Sequence, residues 1–221
     1  VAFGASLNAW TTGNGAMIRK EARVIQVDVD PTALGTHRPI DVGVHGDARE
    51  TASQIVTELE DRAWSQEGYR TPEVARALRT RDPRTERDVV VSDDGLDPGE
   101  FTLALNDLLP TERTVTVDSG HFMGWPAKYI DVCDAAGFVY PQSFQSVGLG
   151  LATSIGAAIA RPERISVLAI GDGGYMLSPQ EVDTAVRHRL ALLVVVYNDG
   201  AYGAEVHRFE PLGLRDDLVR F

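Results

Sequence analysis

The sequence predicts an α/β protein: a doubly wound, parallel-sheet domain preceded by part of a second Rossmann-like α/β domain. Three observations predict it. Two uninterrupted apolar runs, Ile165–Ile170 and Ala191–Tyr197, have the length and composition of parallel strands covered on both faces. Between them, Ser178-Pro179-Gln180-Glu181 reads as a capping box with proline at the first helical position, predicting a helix from 179 to about 188. Such a strand–helix–strand crossover makes the two strands parallel neighbours. Third, Arg23–Val29 is a separate β-branched run closed by Asp30-Pro31, which marks the earlier α/β unit.

Taken in order, Val1-Ala2-Phe3-Gly4 reads as the end of a buried strand entering a glycine turn. Val1 is not a methionine, and Leu218–Phe221 closes without a cap or polar tail, so a longer polypeptide is expected. Asp47 caps a predicted helix reaching about Glu60, with Ile55, Val56 and Leu59 on one face. Residues 61–97 hold seven arginines (62, 70, 76, 79, 81, 84, 87) among Gly68, Pro72, Pro83 and Gly95. With acids interspersed, this stretch is read as a solvated linker carrying one short helix near 73–80. Asp97-Pro98-Gly99-Glu100 opens the domain that spans 98–221, with a capping residue, a proline and an acid in their places. A strand is expected at 114–118, another near 137–140, and a small-residue helix around 146–160.

Composition sets the limits. The 221 residues are 43% hydrophobic and 24% charged, which excludes a wholly disordered or collagen-like chain. No apolar run approaches the ~18 residues of a membrane span, so no membrane role is expected. Thirty-two acidic against 21 basic residues give a net charge of −11, a field that repels phosphate backbones and argues against nucleic acid as a partner. A metal can still bridge a small anionic ligand to such a surface. Cys133 is the single cysteine, so no intrachain disulfide or Cys-based zinc site is available. That usage, with no signal-peptide pattern, leads to a cytoplasmic expectation.

The chemistry concentrates in 165–205. The first apolar run ends in Gly171-Asp172-Gly173-Gly174 and the second in Asn198-Asp199-Gly200. Parallel neighbouring strands bring both turns to one carboxyl edge, about 5 Å apart laterally, where open α/β sheets bind ligands. Oxygen side chains converging beside glycines suit a hard cation such as Mg²⁺, and Gly173 and Gly174 let backbone N–H groups approach a phosphate. By itself, Gly-Asp-Gly is also an ordinary tight turn; its placement between two buried strands favours the ligand reading.

Gly171-Asp172-Gly173, followed 27 positions later by Asp199 within Asn198-Asp199, resembles the thiamine-diphosphate signature of the acetolactate synthase, pyruvate oxidase and benzoylformate decarboxylase family. The resemblance implies that the signature aspartate, a later Asn or Asp, and a carbonyl two residues on hold Mg²⁺ against the diphosphate. Two registers stay open. Asn198 would pair with the carbonyl of Gly200, whereas the following Tyr202-Gly203 favours Asp199 with the carbonyl of Ala201. Upstream, Asp118-Ser119-Gly120-His121-Phe122-Met123-Gly124-Trp125 resembles the family loop whose glycine and next residue, here Gly120 and His121, reach the diphosphate. Ser146–Leu151 with Ile155-Gly156 resembles the helix entry that bends the cofactor. Val147 falls at the wedge, and Gln145 where a carbonyl facing the aminopyrimidine is expected. Tyr202 and Glu205 follow the metal turn toward the substrate side, and Glu205 resembles a proton-transfer position of some decarboxylases. His207 and Arg208 are candidates for attracting an anionic substrate.

Residues 1–60 resemble the latter half of the family's central domain, which in some members binds FAD or a nucleotide; Asp28 and Gly13-Asn14-Gly15 are too generic to assign FAD. The implied reaction is C–C bond cleavage or formation on a 2-oxo acid. The glutamate that activates the cofactor belongs to an N-terminal domain without counterpart here. The resemblance therefore implies a half-site completed across a homodimer or homotetramer. Two rivals remain: a fold-retaining fragment without chemistry, and an NAD-dependent dehydrogenase. The dehydrogenase is disfavoured because Gly4-Ala5-Ser6 lacks the G-x-G-x-x-G fingerprint.

Overall fold

A computed structural model describes residues 1–66, 68–82, 85, 95–141, 144 and 146–221. The chain divides into two compact units, Val1–Arg79 and Thr80–Phe221. Among the described residues no helix is long and apolar enough to cross a membrane.

In the first unit, β1 (Ala2–Phe3), β2 (Ile25–Asp28) and β3 (Val42–His45) form a parallel sheet in that order. The turn after β1 uses Gly4 at φ +60°, a conformation glycine adopts without cost. Asp47 caps α1 (Ala48–Asp61) by accepting from the N–H groups of Arg49 and Glu50, an arrangement worth about 1 kcal/mol. Ile55 and Leu59 are half-buried while Val56 is exposed, so the predicted apolar face is narrower than the spacing suggests. The short helix expected near 73–80 is α2 (Pro72–Thr80).

The second unit begins with α3 (Pro98–Leu108), capped by the Asp97 carboxylate on the Glu100 N–H at 2.7 Å. Then follow β4 (Arg113–Val117), α4 (Gly124–Tyr129), β5 (Phe138–Val139), α5 (Gly150–Ala160) and β6 (Ile165–Gly171). The unit closes with α6 (Asp172–Leu177), α7 (Val182–Arg187), β7 (Leu192–Tyr197) and α8 (Gly203–Phe209). The sheet is wholly parallel in the order β5-β4-β6-β7. Alternation along the strands feeds two cores. Val115, Val117 and Ala169 pack with Phe122, Ile130, Leu105 and Leu109 on one face; Leu168 and Ile170 pack with Leu151, Ile155 and Ala185 on the other. Helices therefore cover both faces, the doubly wound arrangement the apolar runs require.

At the amino edge Arg113 is buried, and its guanidinium donates to the carbonyls of Asp131, Asn106 and Leu109 and to Asn106 Oδ1. These bonds sew β4 to the ends of α3 and α4. At the opposite edge, the chain leaves β4 toward β5 on one side and returns to β6 on the other. The carboxyl ends of β4 and β6 thus flank a topological switch point, where doubly wound sheets open a crevice.

Two local expectations are corrected. Ser178 makes no cap: the segment after it is a 3₁₀ turn over Pro179–Glu181, and the α-helix proper runs only over Val182–Arg187. The Ser178 hydroxyl instead donates to the Gly148 carbonyl at 3.0 Å, a partner 30 residues away. The small-residue helix starts at Gly150 rather than 146, because Gly148 sits at φ +90°, outside helical space.

Leu168 is fully buried in β6. Leu168→Ala is expected to destabilise the second unit by about 2–5 kcal/mol, read from urea unfolding followed by circular dichroism.

Candidate functional site

The site is built by the loops that leave β4, β6 and β7 on the carboxyl edge. The last pair in the β6–β7 ladder is Gly171 with Tyr197, so the two chains leave the sheet abreast. Asp172 is then the first residue of α6, not a turn residue as its Gly-Asp-Gly-Gly setting suggests. Its carboxylate takes the Gly173 N–H on Oδ1 and the Gly200 N–H on Oδ2, each at 2.9 Å. The second bond crosses from one loop to the other and holds the 198–201 turn against the start of α6. Asn198 Oδ1 shares the Gly200 donor at 3.0 Å, and Asp199 Oδ1 accepts from Ala201 N–H at 3.3 Å. The two halves of the expected motif are therefore brought together.

The glycines here are fixed by their neighbours. A Cβ on Gly173 would lie 2.5 Å from Cε1 of Tyr202, whose ring also meets Phe221 edge-on at 5.3 Å. A Cβ on Gly203 would run into Asp199 Oδ2. One on Gly174 would overlap Asp118 Oδ2 and approach Val147 Cγ1 at 3.4 Å, which places Val147 against the beginning of α6. Gly171 lies under Phe122, whose ring stacks on Tyr197 at 5.3 Å. Tyr197 is held by a 2.8 Å hydroxyl contact with Thr102. That stack anchors the 118–123 loop on the end of β6.

Gly120 and His121 enter the site from β4, with His121 opening a 3₁₀ turn over His121–Met123. The His121 ring packs on His207 of α8 with centroids 4.3 Å apart. Desolvation, and then the neighbouring His207, hold His121 below the ordinary histidine value; Asp199 pulls the other way. Tyr202 precedes α8 and Glu205 lies in its first turn, with its side chain exposed. Gln145 lies outside the described residues. Sequence reasoning missed Asp118, whose buried carboxylate accepts from Gly148 and Gly150, and the His121–His207 contact. Both depend on partners distant in the chain, and local spacing carries no sign of them.

The donor set can be tested against a hard cation held to a diphosphate. Among the described residues no three His, Cys, Asp or Glu side chains gather round one point. The two loops joined by the Gly200 bond carry two carboxylates, Asp172 and Asp199. Mg²⁺ characteristically takes one or two carboxylates and completes its octahedron with water and phosphate oxygens. Each Asp172 oxygen retains a lone pair beyond its backbone donor. In the loop that leaves β4, Ser119 Oγ is buried with no partner among the described residues, a polar atom between Asp118 and Gly120. The residues fit such a group.

Residues 118–217 match the family model for the thiamine pyrophosphate enzyme C-terminal TPP binding domain, and residues 1–55 that for the central domain. The chain is 29% identical over 212 residues to a sulfoacetaldehyde acetyltransferase of Alcaligenes xylosoxydans xylosoxydans, covering 84% of this chain and 34% of that protein. It is 27% identical over 210 residues to the acetolactate synthase isozyme 2 large subunit of Escherichia coli K12, covering 92% and 35%. The chain thus spans about a third of the length of these curated relatives. A solved Rhodococcus jostii RHA1 thiamine diphosphate-dependent 4-hydroxybenzoylformate decarboxylase superposes with TM-score 0.62 at 20% identity, over 89% of this chain and 34% of that one, and shares the fold. With both matched domains falling where the parallel sheets and the carboxyl-edge loops stand, the chain belongs to the thiamine pyrophosphate enzyme family.

Proposed function

We propose that this chain supplies the diphosphate- and Mg²⁺-holding half of a thiamine-diphosphate site, in an enzyme that cleaves or forms C–C bonds on a 2-oxo acid. The observation that carries this reading is the 2.9 Å bond from Gly200 N–H to Asp172 Oδ2, which unites the two loops of the motif on one rim. Acetolactate synthases and sulfoacetaldehyde acetyltransferases among the relatives favour transfer of a small acyl unit. The bound coenzyme would supply the carbon nucleophile and electron sink.

The chain's own residues do the holding. Asp172 and Asp199 offer carboxylate oxygens, and Ala201 its carbonyl, to the cation. This register leaves Asn198 to brace the turn through Gly200. Gly173 and Gly174 bring the backbone at the start of α6 to the diphosphate, the Gly173 N–H being shared with Asp172 Oδ1. Gly120 and His121 close the diphosphate from the β4 side, and Val147 stands as the wedge beneath the cofactor, with Gln145 preceding it. Glu205 is the candidate for proton transfer at the substrate side, with Tyr202 lining the approach. Activation of the coenzyme ring falls to a glutamate of another domain, in a homodimer or homotetramer whose chains share the site. The net charge of −11 suits a cation-bridged small anion and not nucleic acid.

Calorimetric titration of thiamine diphosphate with and without Mg²⁺ tests this reading. Asp172→Ala is expected to weaken Mg²⁺-dependent binding at least about tenfold, some 1.4 kcal/mol, and Asp199→Ala to exceed Asn198→Ala. Binding that ignores both Mg²⁺ and Asp172 would instead favour a fragment that keeps the fold without the chemistry. Residues 1–221 alone are expected to bind weakly and to release no CO₂ from 2-oxo acids; measurable release overturns the half-site assignment. A separate check concerns Gly173→Ala, expected to cost about 1–3 kcal/mol through the Tyr202 ring. In a Tyr202→Ala background that cost shrinks, and a double-mutant cycle of thermal stabilities reads the difference.

A further inference from the structure

Asp118 is fully buried at the switch point, and the binding scheme above leaves it unused. Its backbone still belongs to the sheet, donating to the Ala169 carbonyl at 2.9 Å. Its side chain reaches away from the strand. Oδ2 accepts the Gly148 N–H at 2.8 Å and Oδ1 the Gly150 N–H at 3.1 Å. Three segments meet on this one group. A Cβ on Gly150 would stand 2.6 Å from Asp118 Cβ, and one on Gly174 would overlap its Oδ2. The start of α5 and the start of α6 are both glycine where they touch it.

The Gly148 peptide is gripped from both sides, its N–H by Asp118 and its carbonyl by the Ser178 hydroxyl at 3.0 Å. Its φ of +90° and its closeness to Leu177, 2.9 Å from a would-be Cβ, leave the turn one seat. Val147, the preceding residue, is carried by that peptide and comes to rest against Gly174. We propose that Asp118, assisted by Ser178, is the positioning residue of the diphosphate pocket: its carboxylate sets the spacing of the 118–121 loop, the 147–150 turn and the start of α6. This role rests on the half-site reading, because those three segments are the ones assigned to the diphosphate and the wedge.

The carboxyl group suits the task because both of its oxygens accept here. Burial holds Asp118 above the usual carboxylate range, and the N–H groups of Gly148, Ser119, Gly150 and Leu149 offset only part of that rise. An amide of the same shape would turn an NH₂ group toward one of these donors and leave it unpaired.

The test uses the full chain and compares Asp118→Asn, Gly150→Ala and Asp172→Ala with wild type. Amide hydrogen exchange and calorimetric titration with Mg²⁺ and thiamine diphosphate are the readouts. In Asp118→Asn, exchange at Gly148 and Gly150 is expected to quicken at least about tenfold while Leu168–Ile170 in β6 stay as in wild type, and affinity for the cofactor is expected to fall about tenfold. Wild-type affinity in a folded Asp118→Asn protein overturns the proposal. So does faster exchange in β6 in step with the affinity loss, the mark of a residue that serves stability alone. Should Asp118→Asn fail to fold, Gly150→Ala displaces the same carboxylate without changing charge and is judged by the same two outcomes. Asp172→Ala separates the levels. If it binds like wild type, the half-site reading fails and this role with it. If it loses binding while Asp118→Asn keeps it, the positioning role alone fails.

Discussion

The hydrogen bond from Gly200 to Asp172 exists only because β6 and β7 end at the same level. That level is a matter of register. β6 is inserted between β4 and β7 with apolar side chains directed to both faces, Leu168 and Ile170 to one core and Ala169 to the other. Slipping it by one residue would exchange the two sets and send branched side chains into spaces shaped for alanine. The sheet's packing thus dictates which residues leave it side by side, and the loops inherit that placement.

The rim of the site shows how little of its glycine content can be credited to a ligand in advance. Gly150, Gly173, Gly174 and Gly203 each face a side chain that occupies the space of a Cβ: Asp118, Tyr202, Asp118 again and Asp199. Close packing alone therefore demands glycine at these positions. At two of them the N–H is also spoken for, Gly150 donating to Asp118 and Gly173 to Asp172, so the packing and the hydrogen bonding of the rim are settled by the same residues.

What the sequence revealed, and what it hid, divides along the range of the interactions. Asp47 and Asp97 were legible as caps because a cap's partners lie within three residues. The long apolar run of β6 declared a strand buried on both faces, whereas β7, whose run reads the same way, ends the described sheet with Val196 exposed. Ser178 carried every local mark of a cap, yet its hydroxyl serves Gly148, and no spacing rule reaches that far. Helix α6 was hidden because Gly-Asp-Gly-Gly is a poor helix former by propensity; its position between β6 and the 198–201 turn overrides that tendency. The link between Asp172 and the Asn198–Ala201 turn was readable from topology alone. The anchoring by Asp118 and the His121–His207 contact required the folded chain.

Arg113 gives the molecule a different kind of asymmetry. Its buried guanidinium fastens β4 to α3 and α4 at the edge remote from the crevice, through four donor contacts to groups that are themselves neutral. That fastening is lodged at the end of the sheet away from the loops that carry Asp172 and Asp199. The loops at the carboxyl edge can therefore change in sequence and length while the fold's anchorage at the amino edge stays untouched.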